Sequence, residues 1–120
     1  MRVHHIAIQV ADLERVATFY RDLLGLTPIE APRADARWFD ASGTILMLER
    51  CDGSPGVDPF VTPRTGFHVV AFAIHASERA GLAERFKRAG VHIERETTYS
   101  FFVRDPEGNR LALSHYPEAV

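Results

Sequence analysis

The residues of this chain that could do chemistry are six histidines, one cysteine and a scatter of carboxylates and guanidiniums. His5 is the first to weigh. It lies in Val3-His4-His5-Ile6-Ala7-Ile8-Gln9-Val10, where strict alternation puts His5, Ala7 and Gln9 on one face and Ile6, Ile8 and Val10 on the other. A neutral imidazole is a common metal ligand, so His5 raises the question of a metal site. Arg110 brings a planar guanidinium suited to a carboxylate or phosphate. Gln9 and Ser114 could orient a ligand by hydrogen bonds. Plainer roles compete at each position: a hydrogen-bonded cavity histidine, a solvated strand-end arginine, a pair of polar groups satisfying each other. Cys51 has no adjacent base and reads as the end of a strand. No Cys-x-x-Cys pair, Gly-rich phosphate loop or Ser-His-Asp constellation is present.

The elements that must position these residues follow from periodicity. Residues 3–10 form a strand. Asp12 is a helix N-cap, and Leu13, Val16, Ala17, Tyr20, Leu23 and Leu24 make one apolar stripe. Gly25 suits the C-terminal cap. Strands are predicted at 27–29, 37–40 and 44–49, with a tight turn at Ser42-Gly43. Residues 51–66 hold three prolines and three glycines and read as a linker or lid-like loop. The pattern then restarts: a strand at 67–74, an N-cap at Ser77, and a helix over 78–89 that buries Leu82, Phe86 and Ala89 and closes at Gly90. Further strands are expected at 91–95, 99–104 and 109–116. Asp105-Pro106-Glu107-Gly108 is a turn in which proline presets φ and glycine accepts a positive φ. The charges Glu78-Arg79, Glu84-Arg85 and Lys87-Arg88 read as a solvated helix face. His4 falls opposite His5, His75 and His92 lie near strand ends, and His115 falls opposite Ser114. Trp38 and Phe39 share a short strand, so one of them faces each side.

The order strand-helix-strand-strand-strand is therefore written twice. Val10 matches Ile74, and Gly43 matches Gly108. Such duplication implies two similar modules, 1–50 and 67–120, joined through 51–66 into one domain. The chain of 120 residues, with a net charge of -2 and 25% charged residues, is composed like an ordinary soluble protein. Its charge argues against nucleic acid and membrane surfaces as partners. No apolar run reaches the roughly 20 residues of a spanning helix, and no signal-peptide pattern opens the chain. A single cysteine excludes an internal disulfide and suits a reducing cytoplasm.

The motifs His5-Ile6-Ala7-Ile8-x-Val10-x-Asp12-Leu13, Phe19-Tyr20-Arg21-Asp22-Leu23-Leu24-Gly25-Leu26 and Asp105-Pro106-Glu107-Gly108-Asn109 together resemble the vicinal oxygen chelate superfamily. That group includes bacterial glyoxalase I, fosfomycin-resistance thiol transferases, extradiol dioxygenases and bleomycin-binding proteins. The resemblance covers nearly the whole chain and is specific for the fold, not for a reaction. It implies an α+β fold of two βαβββ modules, with mixed sheets curled around a cavity. It also implies a homodimer. It marks four ligand positions, which here carry His5, Met47, Val69 and Ala112. Only His5 is a normal ligand for the metals of this family; alanine cannot ligate and a thioether suits hard ions poorly.

His68 lies one residue from the expected position and shares its parity with Val70, Phe72 and Ile74. Only a β-bulge would turn it inward. With such a bulge, His5, His68 and Glu49 would make a three-ligand site for zinc, nickel, manganese or iron. Without it the cavity is metal-free, and that is the favoured expectation. The expected ligand-binding wall is His5, Gln9, Trp38, Met47, Glu49, Val69, Arg110, Ala112 and Ser114, mostly apolar with a few polar groups. No catalytic residue is assigned. The expected function is small-molecule binding of the bleomycin-sequestering type. The alternatives are a metal-dependent lyase, thiol transferase or dioxygenase, and a non-catalytic structural dimer.

Overall fold

Residues 1–54 and 65–119 are described in the computed structural model. The chain divides into two compact units, Met1–Gly56 and Val57–Val120. Most of the loop expected over 51–66, residues 55–64, lies outside the described residues.

In the first unit, β1 (His5–Val10) leads into a helix, α1 (Leu13–Thr18), followed by a π-wound turn at Phe19–Leu23. The Asp12 carboxylate accepts from the Arg15 N–H at 3.2 Å, as an N-cap should. The π-turn ends where Gly25 takes a φ of 82°. Then come β2 (Thr27–Ile29), β3 (Ala36–Ala41) and β4 (Thr44–Arg50). Ser42 and Gly43 both have positive φ, 56° and 97°, which fits the two-residue hairpin turn that follows the right-handed twist of the strands. The sheet order is β1-β4-β3-β2, with β1 and β4 parallel and the remaining pairs antiparallel.

The second unit repeats this order as β5 (Val70–Ala73), a 3₁₀ turn (Ala76–Glu78), α2 (Arg79–Arg88), β6 (Arg95–Glu96), β7 (Ser100–Arg104) and β8 (Arg110–Ser114). Its sheet order is β5-β8-β7-β6, again with the first and last strands parallel. The fold class is therefore α+β, two repeated modules with a four-stranded mixed sheet in each. No helix among the described residues is long and apolar enough to cross a membrane.

Each unit packs its helix on one face of its own sheet. Tyr20 and Phe86 are fully buried and lie 6.4 and 6.1 Å, ring to ring, from Phe39 and Phe101. Leu46 and Leu48 on β4 and Leu111 and Leu113 on β8 share those buried faces. Burying such side chains contributes about 1.5–3 kcal/mol each.

Several expectations need correction. The strand expected at 67–74 begins at Val70, and the one expected at 91–95 is a two-residue edge strand at Arg95–Glu96, paired only with Phe102 and Phe101. Ser77 is not the N-cap. It sits inside the 3₁₀ turn, and Glu78 reaches back to accept the His75 N–H at 2.7 Å. Ala89 is exposed; only Phe86 is fully buried on α2. Arg79 is not part of a solvated face. Its guanidinium donates to the carbonyls of Thr97, Thr98 and Ser100 and meets His115 Nε2 at 3.0 Å. His115 is buried, with its Nδ1 2.5 Å from the Glu118 carbonyl. This arrangement fits a proton on Nδ1 and a lone pair on Nε2.

Candidate functional site

Cross-strand register decides which side chains share the face of each sheet opposite its helix. In the first unit His5 pairs with Ile45, Ala7 with Met47 and Gln9 with Glu49 along the parallel β1–β4 ladder. Trp38 pairs with Met47 on one side and Ile29 on the other. His5, Gln9, Trp38, Met47 and Glu49 therefore lie on one face, as their parity predicts, and Phe39 lies in the core. The face is apolar at Met47 and Trp38, with polar groups at its two ends.

Those ends are far apart. Glu49 is level with Gln9, four residues beyond His5, or about 13 Å along a strand. Its carboxylate is also occupied: Arg33 Nη2 lies 2.6 Å from Glu49 Oε2. His5 has a different neighbour. His4 precedes the ladder and does not turn away as alternation predicts. Its Nδ1 lies 3.0 Å from His5 Nδ1, with the rings edge to face.

In the second unit Ala71 and Phe102 flank Ala112, while Ala73 and Ser100 flank Ser114. Arg104 is level with Arg110, and Arg95 with Phe102. The Phe102 ring carries the Arg110 guanidinium 4.8 Å from its centroid and that of Arg95 at 5.9 Å. Such stacking is worth about 0.5–2 kcal/mol according to exposure. Glu94 pairs with Arg104 and lies 3.6 Å from Arg110. This face is a sheet of small and aromatic side chains edged by guanidiniums, unlike its counterpart in the first unit.

The β5–β8 ladder runs without a bulge from Val70 to Ala73, so His68 and Val69 lie before the strand. The parity rule does not reach His68, and no bulge is needed to turn it. Its Nε2 lies 3.4 Å from Arg110 Nη1, a group on the Ala112 face. A guanidinium beside that nitrogen opposes a divalent cation there by charge.

A metal is what the family resemblance implies, and the donor set does not fit one. Among the described residues no three His, Cys, Asp or Glu side chains are grouped so that they could hold a metal ion. Of the four marked positions only His5 bears a ligand; Met47 and Ala112 are buried apolar side chains, and Val69 is apolar.

A concavity lies in the first unit, between the end of α1 and the β2–β3 hairpin. It has a volume of about 200 Å³ and is lined by Arg21, Arg33, Arg37 and Trp38 among apolar residues. Sequence reasoning missed it because its arginines are scattered over 17 positions with no period. Asp22 forks Arg21 at 2.9 Å, and the mutual hydrogen bond holds the Asp22 carboxyl below its usual range and the Arg21 guanidinium above its own.

Comparison with known proteins agrees with this architecture. Residues 2–113 match the model of the Glyoxalase/Bleomycin resistance protein/Dioxygenase superfamily. The chain is 30% identical over 118 residues to the glutathione transferase FosA of Serratia marcescens, covering 92% of this chain and 78% of that protein. Its fold superposes on a glyoxalase/dioxygenase from Nostoc punctiforme with a TM-score of 0.85 at 25% identity, covering 98% of this chain and 92% of that one. The fosfomycin resistance protein FosX of Listeria monocytogenes shares the fold at a TM-score of 0.75 and 21% identity, over 95% of this chain and 90% of that one. With the twofold βαβββ pattern, the parallel first and last strands and the match over nearly all its length, this chain belongs to the glyoxalase/bleomycin resistance/dioxygenase family of the vicinal oxygen chelate superfamily.

Proposed function

We propose that this protein binds a small organic molecule on a sheet face opposite a helix, the one bearing Met47 or the one bearing Ala112, and that it does so without a protein-held divalent metal. The observation that carries this reading is Ala112. It occupies the last-strand position that the family resemblance marks for a ligand, between Ala71 and Phe102, and has no atom to offer a metal. The first module does not make up the loss, because Glu49 is level with Gln9 and engaged by Arg33. What the faces offer instead is apolar contact, at Met47 and Trp38 in the first unit and at Phe102 in the second, where Arg110 stacks on the ring. Methionine adapts its shape to a range of ligands, and the stacked Arg110 adds a fixed positive edge.

The named relative is a glutathione transferase, so the test must include that chemistry. The purified full chain is analysed for metal content and then incubated with glutathione and fosfomycin, with and without added manganese. The expected result is metal far below one ion per chain and no adduct under either condition. Ligands found by thermal-shift screening should bind equally well with a chelator present. About one metal per chain, lost in His5→Ala, would overturn the reading in favour of a metal-dependent lyase, transferase or dioxygenase.

A further inference from the structure

The pocket beside α1 goes beyond that reading. Arg21, Arg33 and Arg37 line it, with Ala17, Ile29 and Trp38 among the other residues of its lining. Among the described residues no carboxylate side chain lines it. The side chains on this wall thus present donors and apolar surface, and no charged acceptor.

The acceptors stand around the wall and fix the arginines. Arg21 is forked by Asp22. Arg33 lies between Asp35 and Glu49. Arg37 is held by Glu14 and by the carbonyls of Ala34 and Ala36. These partners balance the charge, so long-range attraction is weak. They leave short-range recognition, because a guanidinium has five N–H donors in a rigid fork and one carboxylate engages at most two of them in parallel. We propose that this pocket binds a small organic anion, a carboxylate or phosphate on an apolar body. The anion would sit on the guanidiniums and the body against Ala17 and Ile29. At about 200 Å³ the space suits a ligand of roughly one ring.

Trp38 is the only tryptophan of the chain and borders the pocket, so its fluorescence follows binding, and substitution of the arginines assigns the response to this pocket. The full chain is titrated with benzoate, phenyl phosphate and the uncharged benzamide. The expected result is a saturable change in Trp38 emission with one or both anions and none with benzamide. The anion that saturates at the lower concentration identifies the headgroup. Arg21→Gln and Arg33→Gln, both at exposed side chains, should each weaken binding about tenfold or more, the scale of a lost charge-assisted hydrogen bond. Circular dichroism checks that both variants keep the fold. No saturable change with either anion, an equal response to benzamide, or full affinity in both variants would overturn the proposal. Neither a chelator nor His5→Ala should alter this titration, so its failure is separable from failure of the metal-free reading.

Discussion

The two modules share one hydrogen-bonding plan and differ in almost everything laid over it. Each pairs its first strand parallel to its last, in the orders β1-β4-β3-β2 and β5-β8-β7-β6. Each buries one aromatic ring of its helical segment against one on its sheet. The first module has six residues in its parallel ladder and the second has four. The first turns into its last strand through Ser42-Gly43, with the exposed Asp40 accepting the Gly43 N–H. The second turns through Asp105, which is buried and accepts the backbone N–H groups of Glu107 and Asn109 and the Asn109 amide. The face of the first carries His5, Gln9, Met47 and Glu49; that of the second carries Phe102, Ala112 and three arginines. Backbone ladders and one buried face suffice to keep a module folded. The other face is then free to change its chemistry, and here the two have diverged.

Substitutions at equivalent places in the two modules test how far they are alike. The largest effect is expected in the shared cores. Tyr20→Ala and Phe86→Ala should each cost about 3–5 kcal/mol, measured by urea denaturation. A much smaller cost for one of them would mean that the modules do not rest on equivalent cores. The turns come next. Asp105→Ala strands two backbone N–H groups in a part-buried turn and should cost about 2–3 kcal/mol, whereas Asp40→Ala in the exposed hairpin should cost well under about 1 kcal/mol. Equal costs would erase the distinction between the two turns.

Helix entry differs as well. Asp12→Ala should cost about 1 kcal/mol, while Ser77→Ala should be nearly neutral, because Glu78 and not Ser77 makes the cap. The smallest effect is at Asp22. Its folded-state pKa lies below the ordinary 3.8 because Arg21 hydrogen-bonds its carboxylate. Any stabilisation from this pair is therefore present above the ordinary value and lost as pH falls through the folded one. Both groups are exposed, so Asp22→Asn should shift the urea midpoint only slightly at neutral pH and not at all once the carboxyl is protonated in acid.

Much of this was legible in the sequence where a local rule operates. Alternation placed His5, Gln9, Met47 and Glu49 on one face because β side chains must alternate. Gly25 and Gly90 marked helix ends, where a positive φ suits glycine. The reading failed where a partner distant in sequence intervenes. Arg79 looked solvated because nothing nearby in the chain shows that Thr97, Thr98 and Ser100 will bring it their carbonyls. Residues 67–69 looked like strand because their residue types suit one, yet the ladder starts at Val70. His68 consequently escaped the parity rule and approaches Arg110.

The sequence alone determined the twofold βαβββ order and the buried faces, because periodicity is a property of short stretches. Only the tertiary structure decided that His5 and Glu49 are level with different partners, that Phe102 lies between two arginines, and that Arg21, Arg33 and Arg37 line one pocket. Those facts depend on register and on contacts between elements. No local pattern encodes them, because the free energy that selects them is shared among residues far apart in the chain.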